Sequence, residues 1–187
     1  MRLFLALPLP AEALRRLASA AEALREGFPD LKVVRPEGLH QTLVFLGERP
    51  PPEAEQVGRL LDSPRLVVPR IPSVLGGYGQ FPQRGAPRVV FIPMKEGGER
   101  VVALQQALSG ILKEGGIRLE EEARPFAPHI TLARSRGSGA ADPGKLAALL
   151  DFEERFEFDR LVLFQSLLRP GGAEYRALKS VALRQGG

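Results

Sequence analysis

Apolar residues fall along the chain in two runs that share one layout. The first opens with a strand-like stretch, Arg2 to Leu7, and a helical stretch from Pro10 to about Glu26. Leu14, Leu17, Ala21 and Leu24 recur there at helical spacing, and Gly27, Phe28 and Pro29 end the helix. A short strand, Leu31 to Val34, precedes the run Leu39 to Leu46, which Gly47 closes. Alternation within that run is imperfect, as expected of a central strand covered on both faces. The second half repeats the order. Arg88 to Met94 is a strand, and Glu99 to Glu114 is a helix with Val102, Leu104, Leu108 and Leu112 among its apolar positions. Gly115 and Gly116 stop it, and a short strand near Ile117 to Leu119 leads to the run Phe126 to Ala133.

Between the runs, Pro50-Pro51-Pro52 introduces a helix, Pro52 to Leu61, followed by strand-like Leu66 to Val74. Gly76 to Pro87 is a Gly/Pro loop carrying Tyr78 and Phe81. Beyond the second run, Ser135 to Asp142 has loop composition and Lys145 to Leu150 is a short helix. Phe156 to Leu168 and Tyr175 to Leu183 form a hairpin turning at Pro170-Gly171-Gly172. These elements predict an α+β architecture, a single domain over residues 1–187. Its two pseudo-symmetric lobes are mostly antiparallel sheet with helices outside and a cleft between them. A plan that occurs twice is a duplicated lobe, since a solenoid needs three or more units.

Each half also carries the same polar pair. The chain has two histidines and two threonines, placed as His40-Gln41-Thr42-Leu43 and His129-Ile130-Thr131-Leu132. Residues two apart on a strand share a face, so His40 projects with Thr42 and His129 with Thr131. If the lobes face one another, two imidazoles and two hydroxyls converge on one cleft. Imidazole trades protons near neutral pH, so one ring can deprotonate a nucleophile while the other protonates a leaving oxygen. The hydroxyls suit the non-bridging oxygens of a phosphoryl group, where transition-state charge is held. Near-symmetric motifs do not say which ring is the acid. Paired roles predict a bell-shaped pH–rate profile, with mutual repulsion spreading the apparent pKa values around the unperturbed value of about 6.5.

Composition narrows the class. Without cysteine, disulfides, thiolate zinc sites and cysteine nucleophiles are excluded. The run Leu3 to Leu9 is short, broken by Pro8 and followed by Glu12, Arg15 and Arg16, which fits a first strand rather than a signal peptide. No stretch approaches the length of a membrane span, and a cytoplasmic monomer is the expectation. The net charge of +4 rests on 21 arginines against 5 lysines. The planar fork of arginine suits phosphate, which favours a polyanionic partner. The same composition equally fits a GC-rich or heat-adapted source.

The segments Arg2 to Leu7, Leu39 to Gly47 and Phe126 to Arg134 carry the paired His-x-Thr motifs and Phe-Ala-Pro-His. They resemble the two-histidine (2H) phosphoesterase superfamily, and within it the RNA 2′,3′-cyclic phosphodiesterases, also called 2′-5′ RNA ligases. The resemblance covers nearly the whole chain. It implies hydrolysis of a terminal 2′,3′-cyclic phosphate on RNA or a nucleotide to a 2′-phosphomonoester, with no metal, no cofactor and no membrane. His40 would protonate the departing 3′-oxygen and His129 would activate water. Replacing water by a ribose 5′-hydroxyl would give a 2′-5′ linkage without ATP. Thr42, Thr131 and Arg134 are the candidates to bind phosphate, and Phe45 the candidate to stack a base. Phe45 and Arg134 each stand five positions after their histidine, on the wrong face of a regular strand, so each requires a bulge or a strand end. Tyr175 and Arg124 are weaker candidates, with the setting of a hairpin aromatic and a surface charge.

Rival signals are weaker. Gly139 to Leu146 nearly spells the phosphate loop G-x-x-x-x-G-K-[ST], but Leu146 stands where a hydroxyl should hold magnesium. Metal binding through the histidines would need carboxylate partners. Glu120-Glu121-Glu122 and Glu153-Glu154 have the composition of solvated surface. A non-catalytic RNA- or nucleotide-binding module on the same scaffold is the alternative from another class. Binding alone does not require two proton-transfer groups.

Overall fold

A computed structural model describes residues 1–66, 68–119, 125–137, 141–169 and 172–184. Among them the first half forms β1 (Arg2–Pro8), α1 (Ala11–Gly27), β2 (Leu31–Val33), a 3-10 turn (Pro36–Gly38), β3 (His40–Glu48) and α2 (Pro51–Leu60). Next come β4 (Ile71–Gly76), β5 (Gly79–Phe81), β6 (Val89–Glu96), α3 (Gly98–Glu114) and β7 (His129–Ser135). The chain closes with α4 (Pro143–Leu149), β8 (Glu153–Phe158), β9 (Arg160–Arg169) and β10 (Gly172–Ala182).

Neighbouring strands run β10-β9-β1-β3-β7-β6-β4-β8. Outward from the seam between β3 and β7 the two sides mirror each other, which is the predicted pair of antiparallel lobes. The seam itself is one residue pair, Gln41 opposite Ile130. Further along the same edge of β7 lies β2, with Leu31 opposite Ser135 and Val33 opposite Ala133. A strand from the first half thus completes the second lobe.

Alternation explains how the sheet buries one face. Leu3, Leu5 and Leu7 of β1 are at most 1% exposed. They share a core with Leu17 and Leu24 of α1 and with Val101, Leu104, Leu108 and Leu112 of α3. The buried stripe of α1 enters through Ala13, and Leu14 sits on its flank. No helix of the described residues is long and apolar enough to cross a membrane.

Some predicted elements differ. The run Phe156 to Leu168 is two strands, because its buried positions change parity. Phe156 and Phe158 are buried on β8, whereas Leu161 and Leu163 are buried on β9. Asp159 breaks the ladder there, sending β8 to β4 and β9 to β1. Within the run Leu66 to Val74 the strand begins at Ile71, and Pro69 makes an isolated bridge to Arg184. The loop Gly76 to Pro87 contains β5, paired along β6. Ile117 to Leu119 forms no strand. Arg124, the cluster Glu120-Glu121-Glu122, Gly139, Ala140, Pro170 and Gly171 lie outside the described residues.

Both motif strands carry the required irregularity at the same place. Ala6 pairs with Thr42 and Leu5 with Val44, which skips Leu43. Phe91 pairs with Thr131 and Val90 with Ala133, which skips Leu132. At each bulge two consecutive side chains turn into the core: Leu43 with Val44, and Leu132 with Ala133. The phase therefore shifts by one, and the fifth residue after each histidine returns to the histidine's face.

Truncation of Leu5, fully buried on the core face, tests this parity. Leu5→Ala is expected to cost about 2–5 kcal/mol in chemical denaturation. A loss below about 1 kcal/mol would mean that β1 does not point its odd residues into the core.

Candidate active site

Both histidines open their strands, and in each case the chain just before the strand supplies a carbonyl to the ring. His40 Nδ1 lies 2.7 Å from the carbonyl oxygen of Gly38, the last residue of the 3-10 turn. His129 Nδ1 lies 2.7 Å from the carbonyl oxygen of Ala127. Ala127 precedes Pro128, which disfavours helical backbone at that position. A carbonyl only accepts, so each Nδ1 carries the proton and donates it. Neither Nε2 makes a hydrogen bond among the described residues. The sequence shows no carboxylate to orient the rings, and the backbone performs that task instead.

The seam brings the pairs together. Gln41 and Ile130 are opposite one another and point into the core, 1% and 0% exposed. Their neighbours point the other way. On these adjacent antiparallel strands that single pairing turns His40 toward Thr131 and Thr42 toward His129. The four polar groups therefore form one compact strip, and the charge of His129 is close enough to oppose protonation of His40. Phe45, 56% exposed, and exposed Arg134 flank the strip as their bulges direct. The charge of Arg134 acts directly on His129.

Aromatic walls hold the imidazoles. Phe4 lies 4.9 Å from the His40 ring and Tyr175 stands edge-on to it at 5.2 Å, with Phe164 behind at 6.3 Å. Phe91 lies 4.8 Å from the His129 ring and Phe81 stands edge-on at 5.6 Å. Gly79 permits this second wall, because a Cβ there would overlap the Phe91 ring. Apart from Tyr175, a weaker candidate, these rings were not among the sequence-derived candidates. For Phe4 a signal existed: with Leu3, Leu5 and Leu7 facing the core, Phe4 belongs to the opposite face. Tyr175 is the hairpin aromatic expected, and its strand also brings it against His40.

The walls set the electrostatics. Burial pushes the His40 imidazole down to about 4, against its hydrogen bond to Gly38 and helped by the charge of His129. Burial also lowers His129, with Arg134 adding to the effect and the bond to Ala127 opposing it. The expectation of two values spread around 6.5 is corrected: desolvation exceeds mutual repulsion and moves both downward. No cluster of three or more His, Asp or Glu side chains converges among the described residues. The near match to a phosphate loop has a plainer role, for Asp142 caps α4 by accepting from the backbone N–H of Lys145 at 3.0 Å.

A doubled antiparallel sheet with a His-x-Thr strand on each side of its seam defines a two-histidine phosphoesterase. Residues 9–169 match the model of the 2′-5′ RNA ligase superfamily, and the chain belongs to that family. The RNA 2′,3′-cyclic phosphodiesterase of Thermus thermophilus is 36% identical, covering 98% of this chain and 91% of that protein. The crystal structure of TT0787 of the same organism has a TM-score of 0.85 at 32% identity, covering 100% of both chains. That of E. coli LigT complexed with 3′-AMP has a TM-score of 0.77 at 27% identity, covering 98% of each.

Proton NMR titration checks the electrostatics. Both imidazoles are expected to titrate below 6.5, His40 lowest, and inorganic phosphate is expected to raise both. A His40 value at or above 6.5 without phosphate would contradict the desolvating role of its aromatic wall.

Proposed function

We propose that the protein hydrolyses terminal 2′,3′-cyclic phosphates of RNA or nucleotides to 2′-phosphomonoesters, using His40 and His129 and no metal ion. One observation carries this: two Nε2 atoms, each freed by a carbonyl at Nδ1, share a strip with two hydroxyls. The names of the relatives and the 3′-AMP bound to a structural neighbour support the substrate class.

In this mechanism the hydroxyls of Thr42 and Thr131 donate to the non-bridging oxygens, and the Arg134 guanidinium adds charge on one side. Phe45 offers its exposed face to a base. His129 Nε2 takes a proton from water as the water oxygen bonds to phosphorus. The P–O3′ bond breaks, and His40 Nε2–H gives its proton to the 3′-oxygen. The phosphate remains on the 2′-oxygen, and exchange with solvent returns each ring to its starting state. A ribose 5′-hydroxyl in place of water would form the 2′-5′ linkage by the same transfers.

The low value at His40 sets a condition on the donor. Before substrate arrives its ring is neutral near pH 7, and the negative charge of a bound phosphodiester favours the imidazolium. The donor's proton is acquired together with the anion.

The deciding assay supplies an oligonucleotide ending in a 2′,3′-cyclic phosphate and identifies the product. A 2′-phosphomonoester is expected, with undiminished turnover in excess EDTA. His40→Ala and His129→Ala should each lose about 10²–10⁴-fold in turnover while still binding product. Absence of wild-type turnover would favour a binding module, and activity restored only by divalent ions would favour a metal site.

The pH dependence has a definite sign. Protonation of His129 sets the acid limb and deprotonation of His40 the alkaline limb. The bell for kcat/KM, which reports the free protein, should centre below 6.5. The bell for kcat should lie at higher pH, because the bound anion raises both rings. Coincident optima would contradict anion-linked protonation.

A further inference from the structure

The first-lobe face of the cleft continues beyond the histidines as a polar row. Arg2, Ser166 and Tyr175 lie opposite one another on β1, β9 and β10. Two positions along β1 from Arg2, Phe4 packs against the His40 ring, and Tyr175 meets the same ring. The row therefore faces the cleft. Arg134 approaches from the second lobe. Its charge acts on His129 and, together with that of Arg2, on the Tyr175 hydroxyl, opposing the rise that burial causes.

The charged and hydroxyl ends of these groups are unpaired among the described residues. Among the described residues the Tyr175 hydroxyl makes no hydrogen bond, and neither Arg2 nor Arg134 forms an ion pair. Glu48, the cross-strand neighbour of Arg2, gives its carboxylate to the amino group of Met1 at 3.2 Å. Two guanidinium groups and a phenol without an acceptor make a site for an anion. On the mechanism proposed above, the cyclic phosphate occupies the histidine–threonine strip. The row then meets a second charge on the same substrate, and in RNA that charge is the phosphodiester joining the terminal nucleotide to the one before it.

We infer that Arg2 and the Tyr175 hydroxyl bind this penultimate phosphodiester, with Arg134 between it and the reacting phosphate, so that the protein selects RNA 3′ ends over cyclic mononucleotides. This rests on the hydrolytic function proposed above. Tyr175 thereby has two tasks: its ring walls His40, and its hydroxyl reads chain length.

The test uses cyclic-ended dinucleotides with either a natural or an uncharged methylphosphonate linkage, beside the cyclic mononucleotide. In wild type the uncharged linkage should lower kcat/KM about tenfold, mostly through KM. Arg2→Ala should cost about tenfold on the natural dinucleotide, and the two losses should not add. Tyr175→Phe, which keeps the ring against His40, should behave likewise with a smaller loss. Binding of the 2′-phosphorylated dinucleotides should follow the same pattern. Its salt slope, log Kd against log salt, should fall by about 0.7 in Arg2→Ala. Additive losses, or equal losses on mononucleotide and dinucleotide, would overturn the site while turnover persists. If wild type hydrolyses nothing but the binding losses still fail to add, the anion site stands and the hydrolytic function falls.

Discussion

Gln41 sits opposite Ile130 at the seam of the sheet, and because side chains alternate along a strand, that pairing points all four polar motif groups the same way. A slip of one residue would turn His40 and Thr42 toward the core. Ile130 is held there by burial, and Gln41 by its Nε2, which donates to the Thr42 carbonyl at 2.7 Å. The bulges after the threonines act on the same parity, returning Phe45 and Arg134 to the cleft. Site geometry thus depends on counting residues along two strands more than on any single strong contact.

The rings that fix the imidazoles also deprive them of water. His40 and His129 are therefore poor at holding charge until an anion lies against them, which agrees with the proposal that they act as an acid–base pair on a bound phosphate. Carbonyl acceptors at Nδ1 fit this design. A carboxylate there would stabilise the imidazolium in the empty site, whereas Gly38 and Ala127 fix the tautomer with a weaker pull on the proton.

Much of this was legible from local pattern. Parity alone assigned His40 with Thr42 and His129 with Thr131, and the odd offset of Phe45 and Arg134 demanded the irregularities that both strands possess. The parity change from Phe156 and Phe158 to Leu161 and Leu163 was also present, although a continuous apolar run concealed it. What pattern could not supply was non-local pairing. Tyr175 reaches His40 only because β9 lies between β10 and β1, and β2 joins the second lobe because β7 has an open edge. The direction of the histidine shifts depends on which rings surround them, and those rings come from strands scattered along the whole chain, from β1 to β10.

The nesting of the chain has a consequence for how the molecule is made. β1 lies between β3 and β9, yet β9 begins only at Arg160. On the ribosome, one edge of β1 stays uncovered until residues beyond Arg160 have emerged, while β4, β6 and β7 can already pair and β7 can take up β2. An uncovered apolar strand invites pairing with other chains. The nascent protein is therefore exposed to aggregation at that edge until the β9–β10 hairpin seals it.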